Sequence, residues 1–194
     1  MEPVEWPPSD FDEDDAYSWC LWALDHGIPE FPETLQKGES VPVARWTGPQ
    51  LGAVLRVEWS WSVEPRDQPD DIVSVIQTFR RTDDGWDGAT SDGGGGWHNP
   101  PLAPPPIGPR EVQVWGTHTD VCGEWSCSAH WGRVGQEIAY AELVTGDDIV
   151  RRTIDSPIGA VIVAFDPSLP STIRFLTDSG EVARVLATPA QDFT

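Results

Sequence analysis

A two-residue hydrophobic period begins near residue 53 and returns, segment after segment, toward the C-terminal end. The run Ala53-Val54-Leu55-Arg56-Val57-Glu58-Trp59-Ser60-Trp61-Ser62-Val63 puts Leu55, Val57, Trp59, Trp61 and Val63 on one face. Arg56, Glu58, Ser60 and Ser62 fall on the other. Successive side chains of a strand point to opposite faces, so this predicts a strand with one face buried. A second strand over 71–81 carries Ile72, Val73, Val75, Ile76 and Phe79. Asp83-Asp84-Gly85 then marks a turn, and Trp86 opens a short return. Further strands are predicted at 111–119, 126–133, 137–145, 148–154, 158–165, 172–177 and 182–187. Gly146-Asp147, Asp155-Ser156-Pro157, Asp166-Pro167 and Asp178-Ser179-Gly180 separate the later ones with turn chemistry. Short strands at this spacing, without strand–helix alternation, exclude a doubly wound fold. The chain is therefore expected to be mostly β: an antiparallel β-sandwich of two packed sheets over residues 51–188, with a tail at 189–194.

Residues 1–50 read differently, as an acidic N-terminal arm. Asp12, Glu13, Asp14 and Asp15 suit a helix N-terminus, where the macrodipole favours negative charge. Trp19 and Trp22, then Cys20 and Leu24, follow at helical spacing. Gly27 and Pro29 end the pattern. One helix is predicted at about 13–26, docking through its tryptophans, with Cys20 as a small buried hydrophobe. Residues 29–50 read as irregular, save for a short edge strand at 41–46 that Pro42 weakens. Residues 87–109, with Gly93-Gly94-Gly95-Gly96, Pro100, Pro101 and Pro104 to Pro106, read as one long loop.

Charge limits the partners. Lys and Arg number 12 against 32 Asp and Glu, a formal charge of −20. Such a field repels phosphate backbones and anionic membrane surfaces, so neither nucleic acid nor membrane is expected as a partner; a basic protein is favoured. The first forty residues hold eleven of the acids against Lys37 alone. No stretch approaches the length of a membrane span, and the first residues lack a secretory pattern, so the expected compartment is the cytoplasm. Three cysteines, an odd count, fit that compartment.

No complete catalytic set occurs. Gly-x-Ser-x-Gly is missing, and the glycine run leads into Trp97-His98, not into a phosphate-binding Lys-Ser or Lys-Thr. The paired carboxylates fall at element entrances and turns, where Asp serves local hydrogen bonding. His118, Cys122, Cys127 and His130 form the densest group of soft ligands, at a predicted hairpin. Zinc takes four N or S donors, so this is the candidate metal or thiol-redox site, although strand alternation could split it between two faces. A Cys122–Cys127 disulfide is the other special reading, and two ordinary thiols near two surface histidines the plain one. The eleven tryptophans are the remaining signal. Trp59 and Trp61 suit the core. Trp86, Trp97 and Trp125 lie in or beside loops, where tryptophan is a frequent interface anchor or a stacking surface for sugars.

Two stretches carry a resemblance. One is Thr78-Phe79-Arg80-Arg81-Thr82-Asp83-Asp84-Gly85-Trp86, leading into the glycine run and Trp97. The other is 155–165 followed by Arg174-Phe175-Leu176-Thr177-Asp178-Ser179-Gly180-Glu181-Val182. Together they resemble uncharacterised, mostly-β proteins of high-GC bacteria, and eleven arginines against one lysine suit such a source. The resemblance implies a small β-rich domain with a closing hairpin. It implies no activity and no catalytic residue. The expected function is a non-enzymatic protein-interaction module, of which an acidic immunity- or inhibitor-type binder is one version. No cofactor is expected; zinc belongs to the metal alternative, and carbohydrate binding to the aromatic one.

Overall fold

The computed structural model describes residues 16–30, 39–59, 72–88, 93–97, 107–122 and 125–191. Helix α1 spans Ala16–His26. Twelve strands follow among the described residues: β1 Ser40–Thr47, β2 Leu51–Trp59, β3 Ile72–Thr82, β4 Gly85–Gly88, β5 Gly93–Trp97, β6 Val112–Cys122, β7 Trp125–Val134, β8 Ile138–Thr145, β9 Asp148–Thr153, β10 Ala160–Phe165, β11 Ser171–Thr177 and β12 Val182–Thr188. They form three antiparallel sheets. The first runs β1-β2-β3-β4 with β5 also on β3, the second β10-β7-β6, and the third β12-β11-β8-β9. A mostly-β sandwich with one N-terminal helix is therefore the architecture.

The strands from residue 112 onward fall within three residues of the predicted bounds. Gly146 supports the two-residue turn between β8 and β9, with φ of +59°, a backbone region that L side chains rarely adopt. Two departures have physical causes. The expected long loop at 87–109 contains β5, whose backbone pairs Gly93–Trp97 with Ile76–Ile72 of β3. Four glycines carry no side chains, so they leave no hydrophobic period to read. Residues 89–92 and 98–106 of that stretch lie outside the described residues. Strand β1, placed at the end of the arm from sequence, is the edge of the first sheet. Its register shifts at Pro42, where a missing N–H costs least.

One apolar cluster runs through all three sheets. It joins Val43, Trp46, Leu55, Val57 and Ile76 of the first to Ala129, Trp131, Ile162 and Val163 of the second. Ile173 and Phe175 of the third belong to it as well. All six residues of β10 are buried, so both its faces are covered. Strand β2 corrects the sequence reading on one point. Leu55 and Val57 are buried as expected, but Val54 and Arg56 on the other face are buried too. Helix α1 explains Val54. Cys20 and Leu24 pack on Val54 and Phe79, with Tyr17, Leu21 and Trp86 around them. Its tryptophans make a separate small cluster: Trp19 and Trp22 meet edge to face at 5.8 Å beside Ala23 and Ile28. The sheet contact is thus carried by Cys20 and Leu24.

Arg45 fastens this cover. Its Nη1 donates to the carbonyls of Ala23 and Leu24 at 3.0 and 2.8 Å in the last turn of α1; the Ala23 carbonyl also accepts the Gly27 N–H. Its Nε donates to Asp155 at 3.1 Å, in the β9–β10 connection. Arg152 of β9 donates to the Thr47 carbonyl of β1 at 2.6 Å. Helix, first sheet and third sheet are tied by these two side chains.

Candidate functional site

The hairpin of β6 and β7 holds the predicted ligand group. Cross-strand pairs are Thr117 with His130, His118 with Ala129, Asp120 with Cys127 and Cys122 with Trp125. Paired residues share a face and neighbours along a strand do not. His118 and Cys127 therefore lie on one face, and His130 on the other. Cys122 sits at the end of β6, and its side chain lies outside the described part. The hairpin does not bring the two histidines together. Among the described residues, no group of three or more His, Cys, Asp or Glu side chains is arranged to hold a metal ion.

What lies beside His118 is a carboxylate that sequence reading passed over. Asp120 is 2% exposed. Its Oδ2 accepts a hydrogen bond from the Thr78 hydroxyl of β3, and its Oδ1 lies 3.1 Å from His118 Nε2. A buried carboxylate needs such partners to offset its lost hydration. These contacts join β3 to β6 and so hold the first sheet against the second. On the opposite face, His130 Nδ1 lies 2.6 Å from the Thr117 hydroxyl, and its ring lies over Phe165. Burial holds the His130 pKa below its ordinary value, and the hydrogen bond with the Gly116 backbone opposes that only in part.

The three tryptophans singled out as anchors fall in different settings. Trp86 is half-buried under α1; Arg81 lies over its ring at 4.7 Å and its indole N–H donates to Asp25 at 3.2 Å. Trp125 packs against the main core with Arg80 5.6 Å above its ring. Trp97 closes β5 opposite Ile72. Trp86 and Trp125 thus contribute to packing within the domain.

The surface that stands open is the outer face of the third sheet. Register places two rows across it. Ile149, Val144, Thr172 and Ala187 form one; Arg151, Glu142, Arg174 and Val185 form the next. Four strands at ~4.8 Å spacing make this face about 15 Å wide. Ile149 is 59% and Val185 53% exposed. Between them Glu142 is buried and accepts from Arg151 Nε at 2.7 Å, with Arg174 Nη1 at 3.9 Å. Arg151 also lies over the Tyr140 ring. The inner face of the same sheet carries Ile173, Phe175, Leu143 and Leu186 into the core.

Nothing similar is found. No family model matches the chain, and no curated protein or solved structure resembles it. The open face left a faint trace in the sequence. Strands β9 and β12 carry apolar residues on both parities, Ile149 beside Val150 and Val185 beside Leu186, where a one-faced strand would alternate. The helix of the structure is too short to cross a membrane.

Proposed function

We propose that this chain is a non-enzymatic protein-interaction module, working in the cytoplasm, that docks a partner protein on the outer face of the third sheet. The carrying observation is that open face: exposed Ile149 and Val185 at its two margins, with an ordered Arg151–Glu142–Arg174 row between them. Exposed aliphatic side chains beside oriented charges make an interface of apolar contacts with a fixed register. Glu142 orients the arginines but leaves donors for a carboxylate on the partner. At longer range the formal charge of −20 favours a basic protein, which fits an immunity- or inhibitor-type binder.

The test is affinity capture from a lysate of the source organism, with the wild-type chain beside an Ile149→Glu, Val185→Glu double variant. Both sites are exposed, so the variant keeps the wild-type circular dichroism and melting temperature. A protein retained by the wild type and lost by the variant supports the reading. Identical retrieval by both, or self-association as the only binding, overturns it.

A further inference from the structure

A cleft of about 620 Å³ opens elsewhere, between the β7–β8 turn, the β9–β10 connection and the segment at 107–109. Its walls include Ile107, Ile138, Ile154 and Ile158. Arg133, near the end of β7, lines the same space. The volume is in the range of small-molecule sites, and the cleft surface is more polar than apolar.

Arg133 is unusual for this protein. It is 8% exposed, yet among the described residues it forms no ion pair. Its single hydrogen bond runs from Nε to Gln113 Oε1 at 3.0 Å. Gln113 passes its amide on to Glu111 Oε1 at 2.7 Å. Glu111 is held by Gln113 and the Gly108 N–H, and the nearby Arg133 charge joins them in lowering its pKa, so the guanidinium feels one acid without forming an ion pair with it. Glu137, next to the lining residue Gln136, is held by Arg110. The Nη groups are not sealed from solvent; they reach the cleft with no hydrogen bond to a described residue, which leaves them free to meet an anion there. Ser156, in the opposite wall, offers a second donor. Its Oγ accepts from the N–H groups of Ile158 and Ala160 at 3.4 and 2.9 Å, and its own proton has no acceptor among the described residues. The walls are also framed closely by glycine. A Cβ on Gly135 would stand 2.1 Å from the Gly108 carbonyl oxygen, and one on Gly159 would stand 2.8 Å from that of Val134. Only glycine lets these three segments close around the cleft.

We propose that this cleft binds a small organic carboxylate with an apolar body. The Arg133 guanidinium and the Ser156 hydroxyl take the carboxylate, and the four isoleucines take the hydrocarbon. A planar fork suits a carboxylate, and exclusion of water strengthens the pair. This site is separate from the docking face and does not depend on it.

The experiment titrates the whole chain with octanoate, octan-1-ol and inorganic phosphate by calorimetry, with amide shifts followed by NMR. Octanoate is expected to saturate one site below about 10 mM, at least tenfold more tightly than octanol, with phosphate weaker than both. Shifts should concentrate at 107–109, 133–138 and 154–159. Arg133→Gln should weaken octanoate at least tenfold and leave octanol unchanged. Octanol or phosphate binding as tightly as octanoate overturns the proposal. So do shifts centred elsewhere, a failure of octanoate to saturate, or an Arg133→Gln chain that keeps full affinity. If Arg133→Gln does not fold, the octanoate–octanol ratio and the shift map on the wild type decide.

Discussion

The first and third sheets use the same kind of strand and differ in what covers them. In the first, Leu55, Val57 and Ile76 face the main core while Val54 and Phe79 on the reverse face lie under α1. In the third, Ile173 and Phe175 face the core while Ile149 and Val185 on the reverse face meet solvent. A sheet with two apolar faces has to find a second layer, and eleven residues of helix supply it for the first sheet. The third has no second layer among the described residues. Its reverse face mixes aliphatic side chains with a charged row, a composition compatible with water and with a partner. The first sheet thus has its reverse face covered from within the chain, and the third leaves open the face proposed for docking.

That contrast can be broken by experiment. The largest effect is expected at Phe79. It stands on β3, fully buried under α1, so Phe79→Ala should cost about 3–5 kcal/mol in urea unfolding. Val185→Ala on the open face should stay within about 0.5 kcal/mol; comparable losses would mean that the two reverse faces are not different in kind. Next comes Arg45→Met, which removes the tie between α1, β1 and Asp155. About 2 kcal/mol is expected, and hydrogen exchange should quicken in 16–26 while β8, β9, β11 and β12 keep their protection. Uniform loss across the chain would show that the helical cover is not a separable layer. Thr78→Val probes the joint between the first two sheets. It deprives Asp120 of a partner and should cost about 1–3 kcal/mol. In an Asp120→Leu background the same change should cost much less, since the carboxylate that needs the hydroxyl is gone.

The smallest effect concerns pH. His130 has its pKa lowered by burial from an ordinary value of 6.5. The unfolded chain therefore binds the proton more readily. The stability linked to this group is whole above about pH 6.5 and falls as pH drops through that value toward the lower folded one. A His130→Gln chain should show a flatter melting profile between about pH 7 and 5 than the wild type. Glu181 acts in the same sense at lower pH. Arg110 lowers its pKa, so its contribution is present near neutrality and is lost as pH falls below the ordinary carboxylate value of 4.5. An unchanged slope in the His130 variant would assign the acid response to such carboxylates.

Much of this was legible in the residues. The strands from 112 to 188 follow from apolar alternation and turn chemistry, and Cys20 from its place in the helical pattern. Strand β5 was not legible, because glycine carries no pattern. The buried Asp120 was hidden as well. In sequence it is one acid in Thr119-Asp120-Val121, and its burial depends on β3 arriving from forty residues away with Thr78. The split of His118 from His130 was foreseeable in kind, since alternation separates faces, but the pairing register decided which residue went where. Arg133 shows the same limit. Nothing near it in the chain reveals that Gln113 bridges it to Glu111, or that isoleucines from three segments gather in the same cleft.

The sequence alone therefore determined the period, the turns, the helix and the sign of the overall field, since each is written in neighbouring residues and in composition. Only the tertiary structure decided which strand faces are covered, which charges are paired and where a cleft opens. Those depend on groups far apart in the chain meeting at distances of a few ångströms, and local patterns carry no record of them.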